Sequence, residues 1–128
     1  MRKRNYKILT RAEIEVMNYL WSMDEGGTVH DVQQCYPEPL PAYTTTATFL
    51  KILTQKGFVT TEKIVGGGKS YLFRPVVSRD EYRRLITEDM TNNFFDGSVK
   101  SFVSFFVKEE KISEDDLKEL LDMVNQKN

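Results

Sequence analysis

The sequence holds one cysteine, Cys35, and one histidine, His30. A lone cysteine cannot close an internal disulfide. No nucleophile motif or second metal ligand accompanies His30, and no partner group for a reactive thiol is visible beside Cys35. Cys35 is therefore read as a small, buried or half-buried packing residue, and His30 as a surface or capping residue. No apolar run approaches the roughly 20 residues of a membrane helix. The basic start "MRKRNYKILT" is not followed by an apolar signal core. A cytoplasmic chain without membrane insertion is expected. The net charge of -1 hides an asymmetry.

The 128 residues suit one domain or two small ones. Charge divides unevenly along them. Residues 1–75 carry ten Lys/Arg against seven Asp/Glu, and residues 76–128 carry eight against twelve. A mildly basic first part and an acidic second part point to different partners for each.

Helix starts are legible as capping boxes, in which a hydroxyl and an acid three residues on satisfy each other's backbone N–H groups. Thr10-x-x-Glu13, Thr28-x-x-Asp31, Ser78-x-x-Glu81 and Ser113-x-x-Asp116 all fit. After the first box, Ile14, Met17, Leu20 and Trp21 share one face, opposite Arg11, Glu15, Asn18 and Ser22. "DEGG" turns the chain, and a short helix "VHDVQQCY" follows. Pro37, Pro39 and Pro41 enforce a loop. A third helix runs through "AYTTTATFLKILTQ" and stops at Lys56-Gly57. Two β-like runs, "FVTTEKIV" and "SYLFRPVV", flank a glycine-rich tip at 66–68. Three short helices make up the remainder.

The third helix begins with hydroxyls, although threonine is only a fair helix former. At about 100° per residue, Thr46, Phe49, Leu50 and Leu53 fall on the core side. Thr44, Ala47, Thr48, Lys51 and Gln55 fall opposite, with Tyr43 and Thr45 at the flanks. No acid occurs between Pro39 and Thr61. Such a face suits the DNA major groove. Small side chains allow close approach, hydroxyls can bond phosphates or base edges, and methyls can pack on thymine. Three helices and a hairpin are the order of a winged helix, a helix-turn-helix variant. Expected DNA contacts are therefore Tyr43, Thr44, Thr45, Ala47, Thr48 and Lys51, with Lys69 at the wing tip, Arg4 in the basic arm and Arg11 on the first helix. Lys63 and Arg74 lie on the wing strands.

The expected fold class is mainly α with a small β-hairpin: a winged helix-turn-helix DNA-binding domain over 1–77 and a C-terminal helical dimerisation domain over 78–128. The second part is too short to bury a core alone, yet five phenylalanines lie between 94 and 106. A second copy would complete it. Leu85, Met90, Phe94, Val99, Phe102, Val103, Phe106, Leu117, Leu120, Leu121 and Val124 are the expected dimer residues.

Three segments, "LTRAEIEVMNYLW", "AYTTTATFLKILTQKGFV" and "SEDDLKELLDMV", resemble the penicillinase repressor family of bacterial regulators (the BlaI/MecI type, with the copper-responsive CopY branch). The resemblance implies a dimeric winged-helix repressor on a double-stranded DNA operator with dyad symmetry, a membrane sensor-protease as a further partner, and relief of repression by cleavage. Aligned on "FVSFFV", the family's scissile bond falls between Phe105 and Phe106, and Phe105 stands where relatives have asparagine. Ala47 and Ile52 stand where several relatives have arginines. No cysteine follows Cys35, so the copper branch's cysteine cluster is missing. No metal or cofactor is expected.

Other classes find less support. "GGGKS" resembles the end of a phosphate-binding P-loop, but that motif needs glycine where this chain has Lys63, and a helix where "SYLFRP" follows. No catalytic constellation accompanies His30, so an enzyme is not expected. Two alternatives remain open: a winged helix used for protein–protein contact, and a ligand-responsive regulator without proteolytic switching.

Overall fold

A computed structural model describes residues 8–66, 68 and 70–127, the last without its side chain. Its elements run α1 (Arg11–Trp21), α2 (Val29–Gln33), α3 (Tyr43–Gln55), β1 (Val59–Lys63), β2 (Tyr71–Pro75), α4 (Arg79–Phe94), α5 (Val99–Lys108) and α6 (Glu114–Lys127). This is a mainly helical chain with one antiparallel hairpin, in winged-helix order. It folds as two compact units, one through Leu85 and one from Ile86. The boundary falls within α4.

Local chemistry sets the helix ends. The Thr10 hydroxyl accepts from the Glu13 N–H at 3.2 Å, and the Glu13 carboxylate accepts from the Thr10 N–H at 2.9 Å. Thr28/Asp31, Ser78/Glu81 and Ser113/Asp116 repeat the exchange at α2, α4 and α6. Ser98 caps α5 by accepting from the Ser101 N–H. α3 ends as a Schellman motif. Gly57 takes φ +85°, the Phe58 N–H reaches the Leu53 carbonyl at 3.0 Å, and the Gly57 N–H reaches Thr54 at 3.1 Å.

The core of the first unit lies where α1, α2, α3 and the hairpin meet. Val16, Met17, Leu20, Val32, Leu50 and Leu53 are fully buried, with Phe58, Val59 and Phe73 beside them. Each such side chain stabilises the unit by about 2 kcal/mol. The α1 face differs by a small rotation from the periodicity reading. Val16 and Glu13 are buried, whereas Ile14 and Trp21 are only half-buried. On α3, Phe49 is half-buried while Thr46 takes the innermost place. Its hydroxyl leans on the Ala42 carbonyl at 3.5 Å. Cys35 is exposed rather than packed inside.

The hairpin pairs Val59 with Pro75, Thr61 with Phe73 and Lys63 with Tyr71. A third chain segment joins it. Gly27 exchanges both backbone hydrogen bonds with Phe73, at 3.0 and 2.8 Å. The "DEGG" turn therefore also ties the start of α2 to the wing. Only glycine suits position 26: its φ is +82°, and a Cβ there would lie 2.6 Å from the Phe73 carbonyl oxygen. A Cβ on Gly27 would lie 2.5 Å from the Met23 sulfur, which a turn of that side chain could relieve.

The first turns of α4 belong to the first unit because Tyr82 is buried there. Its hydroxyl accepts from the Leu9 N–H at 2.9 Å, and its ring meets Phe58 edge-on at 5.7 Å. Just before α4, the Trp21 indole donates to the Val77 carbonyl at 2.9 Å.

In the second unit, Phe95, Phe102, Phe105 and Phe106 form an edge-to-face cluster with centroids 5.2–5.9 Å apart. No residue of α5 and no described side chain of α6 is buried. Phe94, Val99, Leu121, Met123 and Val124 are all more than half exposed.

Candidate nucleic-acid interface

α3 is amphipathic in an unusual way. Thr46, Leu50 and Leu53 anchor one side at full burial. The other side presents Tyr43, Thr44, Thr45, Thr48, Lys51 and Gln55, all exposed, with Ala47 half-exposed among them. The face that helical spacing turns outward is the face left in solvent. Its one aromatic stands at the start, where Tyr43 is 55% exposed.

The hydroxyls are not equivalent. Thr48 donates to the Thr44 carbonyl at 2.8 Å, the usual back-bond of a helical threonine. Its proton is engaged, so Thr48 presents oxygen lone pairs and a methyl outward. Thr44 and Thr45 have no such bond among the described residues, so their protons remain available. The N-terminus adds to this. Among the described residues, α3 alone starts without a capping side chain, at Ala42. The Tyr43 and Thr44 N–H groups have no partner there, and the helix dipole places partial positive charge on them. Gln33 steadies the start from α2 by donating to the Pro41 carbonyl at 2.9 Å.

Charge is distributed to match. Lys51 stands exposed on α3 with no ion-pair partner among the described residues. Lys56, one turn on, is held away by Glu13 at 2.8 Å. Arg11 is exposed at the start of α1, and Lys63 on the wing strand. Arg74 turns to Glu62 at 3.4 Å and leans over Gly26, so its charge is already partnered. Arg4 and Lys69, together with Arg2 and Lys3, lie outside the described residues.

A cleft of about 270 Å³ opens where α2, α3 and the wing meet, and Thr28, Val29, His30, Tyr43, Ser70, Tyr71 and Phe73 line it. Sequence reading found Tyr43 but not the others. Their convergence depends on the Gly27–Phe73 pairing, which no periodicity announces. Cys35 lies elsewhere, with its thiol donating to the Asp31 carbonyl at 3.4 Å. Desolvation and then the Asp31 charge push this thiol up, so it makes a poor thiolate. Among the described residues no cluster of His, Cys, Asp and Glu could hold a metal, and no helix is long and apolar enough to cross a membrane.

The expected dimer residues are placed as follows. Met90, Phe94, Val99, Val103, Leu117, Leu120, Leu121 and Val124 are exposed, whereas Leu85, Phe102 and Phe106 are half-buried. Phe105 is 49% exposed and touches Phe95 and Phe106.

Known proteins resemble this chain along nearly its whole length. It is 25% identical over 127 residues to the methicillin resistance regulatory protein MecI of Staphylococcus aureus (strain N315), covering 99% of this chain and 100% of that one. It is 22% identical over 118 residues to the penicillinase repressor of Bacillus licheniformis, covering 92% and 90%. A crystal structure of MarR superposes with a TM-score of 0.44 at 16% identity, over 98% of this chain and 80% of that one. The penicillinase repressor family model matches residues 9–126, from the residue before the first helix cap to the last turn of α6. The chain belongs to the penicillinase repressor family.

Proposed function

We propose that the protein is a homodimeric transcriptional repressor that reads a two-fold-symmetric DNA operator with α3, one copy of the helix per half-site. The observation that carries this is the α3 surface: Tyr43, Thr44, Thr45, Thr48 and Lys51 stand exposed on a helix whose inner face is fully buried. A rigidly held helix with small, hydroxylated, acid-free outer side chains can enter a major groove and approach base edges. The uncapped N-terminus would offer its free N–H groups to phosphate. Arg11, Lys69 and Arg4 would add backbone contacts, and Ala47 would pack on a thymine methyl.

Dimerisation rests on the second unit, where α5 and α6 leave Val99, Leu117, Leu120, Leu121 and Val124 in solvent. Apolar surface on this scale marks an interface, and a second copy of the same surface is self-complementary. Relief of repression would follow from cutting α5 between Phe105 and Phe106, because each half-site is held weakly without its partner. A membrane sensor-protease would make that cut. The names of two relatives, a methicillin resistance regulator and a penicillinase repressor, make cell-wall antibiotic resistance the first context in which to seek the regulated genes.

Selection from a pool of random duplexes tests the central statement. A palindrome should emerge, with half-sites about one helical turn apart or a multiple of it. Affinity for it should fall steeply with salt and exceed that for random DNA by roughly 10³-fold or more. Recovery of no consensus would sink the proposal.

A further inference from the structure

We propose that the cleft between α2 and the wing is a backbone clamp. It would seat one sugar-phosphate of the operator through His30 and Tyr71, and so fix how deeply α3 enters the groove. The inference rests on the DNA-binding reading above, but its two anchors, His30 and Tyr71, are residues that reading does not use.

Construction is the first ground. The Gly27–Phe73 backbone exchange fastens the residue before α2's cap to the middle of β2. This brings His30 and Tyr71, 41 positions apart in sequence, to the rim of one cleft of about 270 Å³. Gly26 at this fastening is required sterically, because its φ is +82° and a Cβ would meet the Phe73 backbone oxygen at 2.6 Å.

Chemistry is the second. The lining includes His30, with its imidazole, and Tyr43, Tyr71 and Ser70, with their hydroxyls, and among the described residues no carboxylate lines the cleft. Asp31, the nearest acid in sequence to His30, has its carboxylate engaged by the Thr28 N–H at 3.0 Å. Hydroxyls and an imidazole lining a space without acids suit a phosphodiester. Val29 and Phe73 on the wall offer apolar surface to a deoxyribose.

Exposure is the third. Tyr71 is 45% exposed and Tyr43 55%. Neither hydroxyl has a partner among the described residues, so neither ring is held out by an internal bond. Both lie beside the start of α3, whose outer face is the proposed base reader. A phosphate held there would fix helix depth and register, which is the positioning task of backbone contacts.

The hydroxyl donors carry no charge, and that gives the clamp a signature. Salt dependence counts the phosphates neutralised by lysine and arginine. Loss of a clamp hydroxyl should weaken binding without changing the slope of log K against log salt. Loss of Lys51 should flatten it.

The experiment uses the full-length protein, its selected operator, a random duplex of equal length, and operators with single methylphosphonate substitutions. Tyr71→Phe, His30→Gln and Thr48→Ala are compared with wild type, and each variant's thermal melt is recorded. Tyr71→Phe should weaken operator and random duplex alike by roughly fivefold, the worth of one neutral hydrogen bond, at an unchanged salt slope. One methylphosphonate position per half-site should weaken wild type but have little further effect on Tyr71→Phe and His30→Gln. The clamp is overturned if both variants bind as wild type while Thr48→Ala still loses operator affinity. It is also overturned if their losses fall on the operator alone, which would make them base readers, or if every methylphosphonate position weakens variants and wild type equally. If Thr48→Ala fails to distinguish operator from random DNA while the clamp variants behave as stated, the α3 reading falls and the backbone clamp stands.

Discussion

The Lys56 ammonium lies 2.8 and 3.0 Å from the two carboxylate oxygens of Glu13, and this pair joins the end of α3 to the start of α1. Glu13 is 5% exposed and also accepts from the Thr10 N–H. One carboxylate thus completes a helix cap and an inter-helix ion pair. Burial alone would raise its pKa. The bonds from Lys56 and Thr10 outweigh that, and the net shift is downward. Removing Lys56 would leave a buried, capping carboxylate without its counter-charge. Lys56→Met should destabilise the protein by about 2 kcal/mol, less than for a fully buried pair because the lysine keeps partial access to solvent. Urea unfolding measures it. Unchanged stability would show that the pair is decorative.

The same pair sets an acid limit. A carboxyl whose pKa is depressed on folding contributes its full stabilisation above its unfolded value, about 4.3 for glutamate. That contribution is lost as pH falls through the lower folded value. Wild type should therefore lose stability below about pH 4 more steeply than Glu13→Gln, whose stability there should be flatter and lower at neutral pH. Parallel pH–stability curves would count against a folded-state role for this charge.

Thr48 and Lys51 should fail differently. Thr48 has its proton committed to Thr44, so it can offer only lone pairs or a methyl to a base. Thr48→Ala removes both and should cost about 1 kcal/mol on operator and little on random DNA. Thr48→Val keeps the methyl. Retained operator affinity in Thr48→Val would assign a thymine methyl, and loss would assign an acceptor contact to adenine N6 or cytosine N4. Lys51→Ala should weaken all DNA and reduce the salt slope by about one phosphate. Filter binding across a salt series separates these outcomes. Equal losses on both DNAs for Thr48→Ala would remove base reading from α3.

Much of this site is legible in sequence because it depends on local rules. Capping boxes place the starts of α1, α2, α4 and α6, and helical spacing alone separates the inner and outer faces of α3. Contacts between distant segments are not legible. Glu13 reads as a cap in sequence, and its second role depends on Lys56 arriving 43 positions later. Gly27 reads as a turn, and its pairing with Phe73 requires the folded hairpin. His30 reads as an isolated imidazole because its neighbours Tyr43, Ser70 and Tyr71 are remote in the chain. The exposed apolar faces of α5 and α6 are legible as an excess of hydrophobic residues with too little chain to bury them.

Gly26 and Gly27 predict a wing-specific defect. Gly26→Ala places a Cβ 2.6 Å from the Phe73 oxygen at a positive φ, a strain of about 1–3 kcal/mol. Because the clash falls on the wing junction, amide exchange of Phe73 should accelerate, while the Val16 and Leu50 amides in the helical core change less. DNA affinity should fall with it. Uniform acceleration throughout the first unit would mean global destabilisation instead.

Dimerisation can be broken without damaging the monomer's own packing. Leu121 and Val124 are 59% and 56% exposed on α6, so aspartate there meets solvent in a monomer but an apolar partner in a dimer. Leu121→Asp with Val124→Asp should leave helix content and the first unit's melting unchanged. Analytical ultracentrifugation should nevertheless show a monomer at micromolar concentration where wild type is a dimer. A wild type that sediments as a monomer would refute the assembly itself.

Cleavage of α5 can be mimicked by truncation. The Phe105–Phe106 bond lies inside a helix with no buried residue, and Phe105 is half exposed. Local opening to admit a protease therefore sacrifices the Phe95–Phe102–Phe105–Phe106 cluster and little else within the chain. A chain ending at Phe105 loses the rest of α5 and all of α6, and with them Leu117, Leu120, Leu121 and Val124. It should be monomeric, retain a folded first unit, and bind a single half-site about as well as the full-length chain does. On the full operator its affinity should fall by roughly 10²-fold or more, because the second half-site is no longer reached at high effective concentration. In the protein's own host, intact mass before and after a β-lactam challenge then decides whether the cut is used. Full-length protein that persists while its target genes switch on would exclude proteolysis as the release step. The resemblance to the family implies an asparagine at the position that Phe105 occupies, and this gives that measurement a second arm. A protease pocket shaped to bond an amide leaves its polar groups unpaired against a phenyl ring, a mismatch that can cost orders of magnitude in rate. Phe105→Asn should then speed the cut, and an unchanged rate would mean that the protease does not read this side chain.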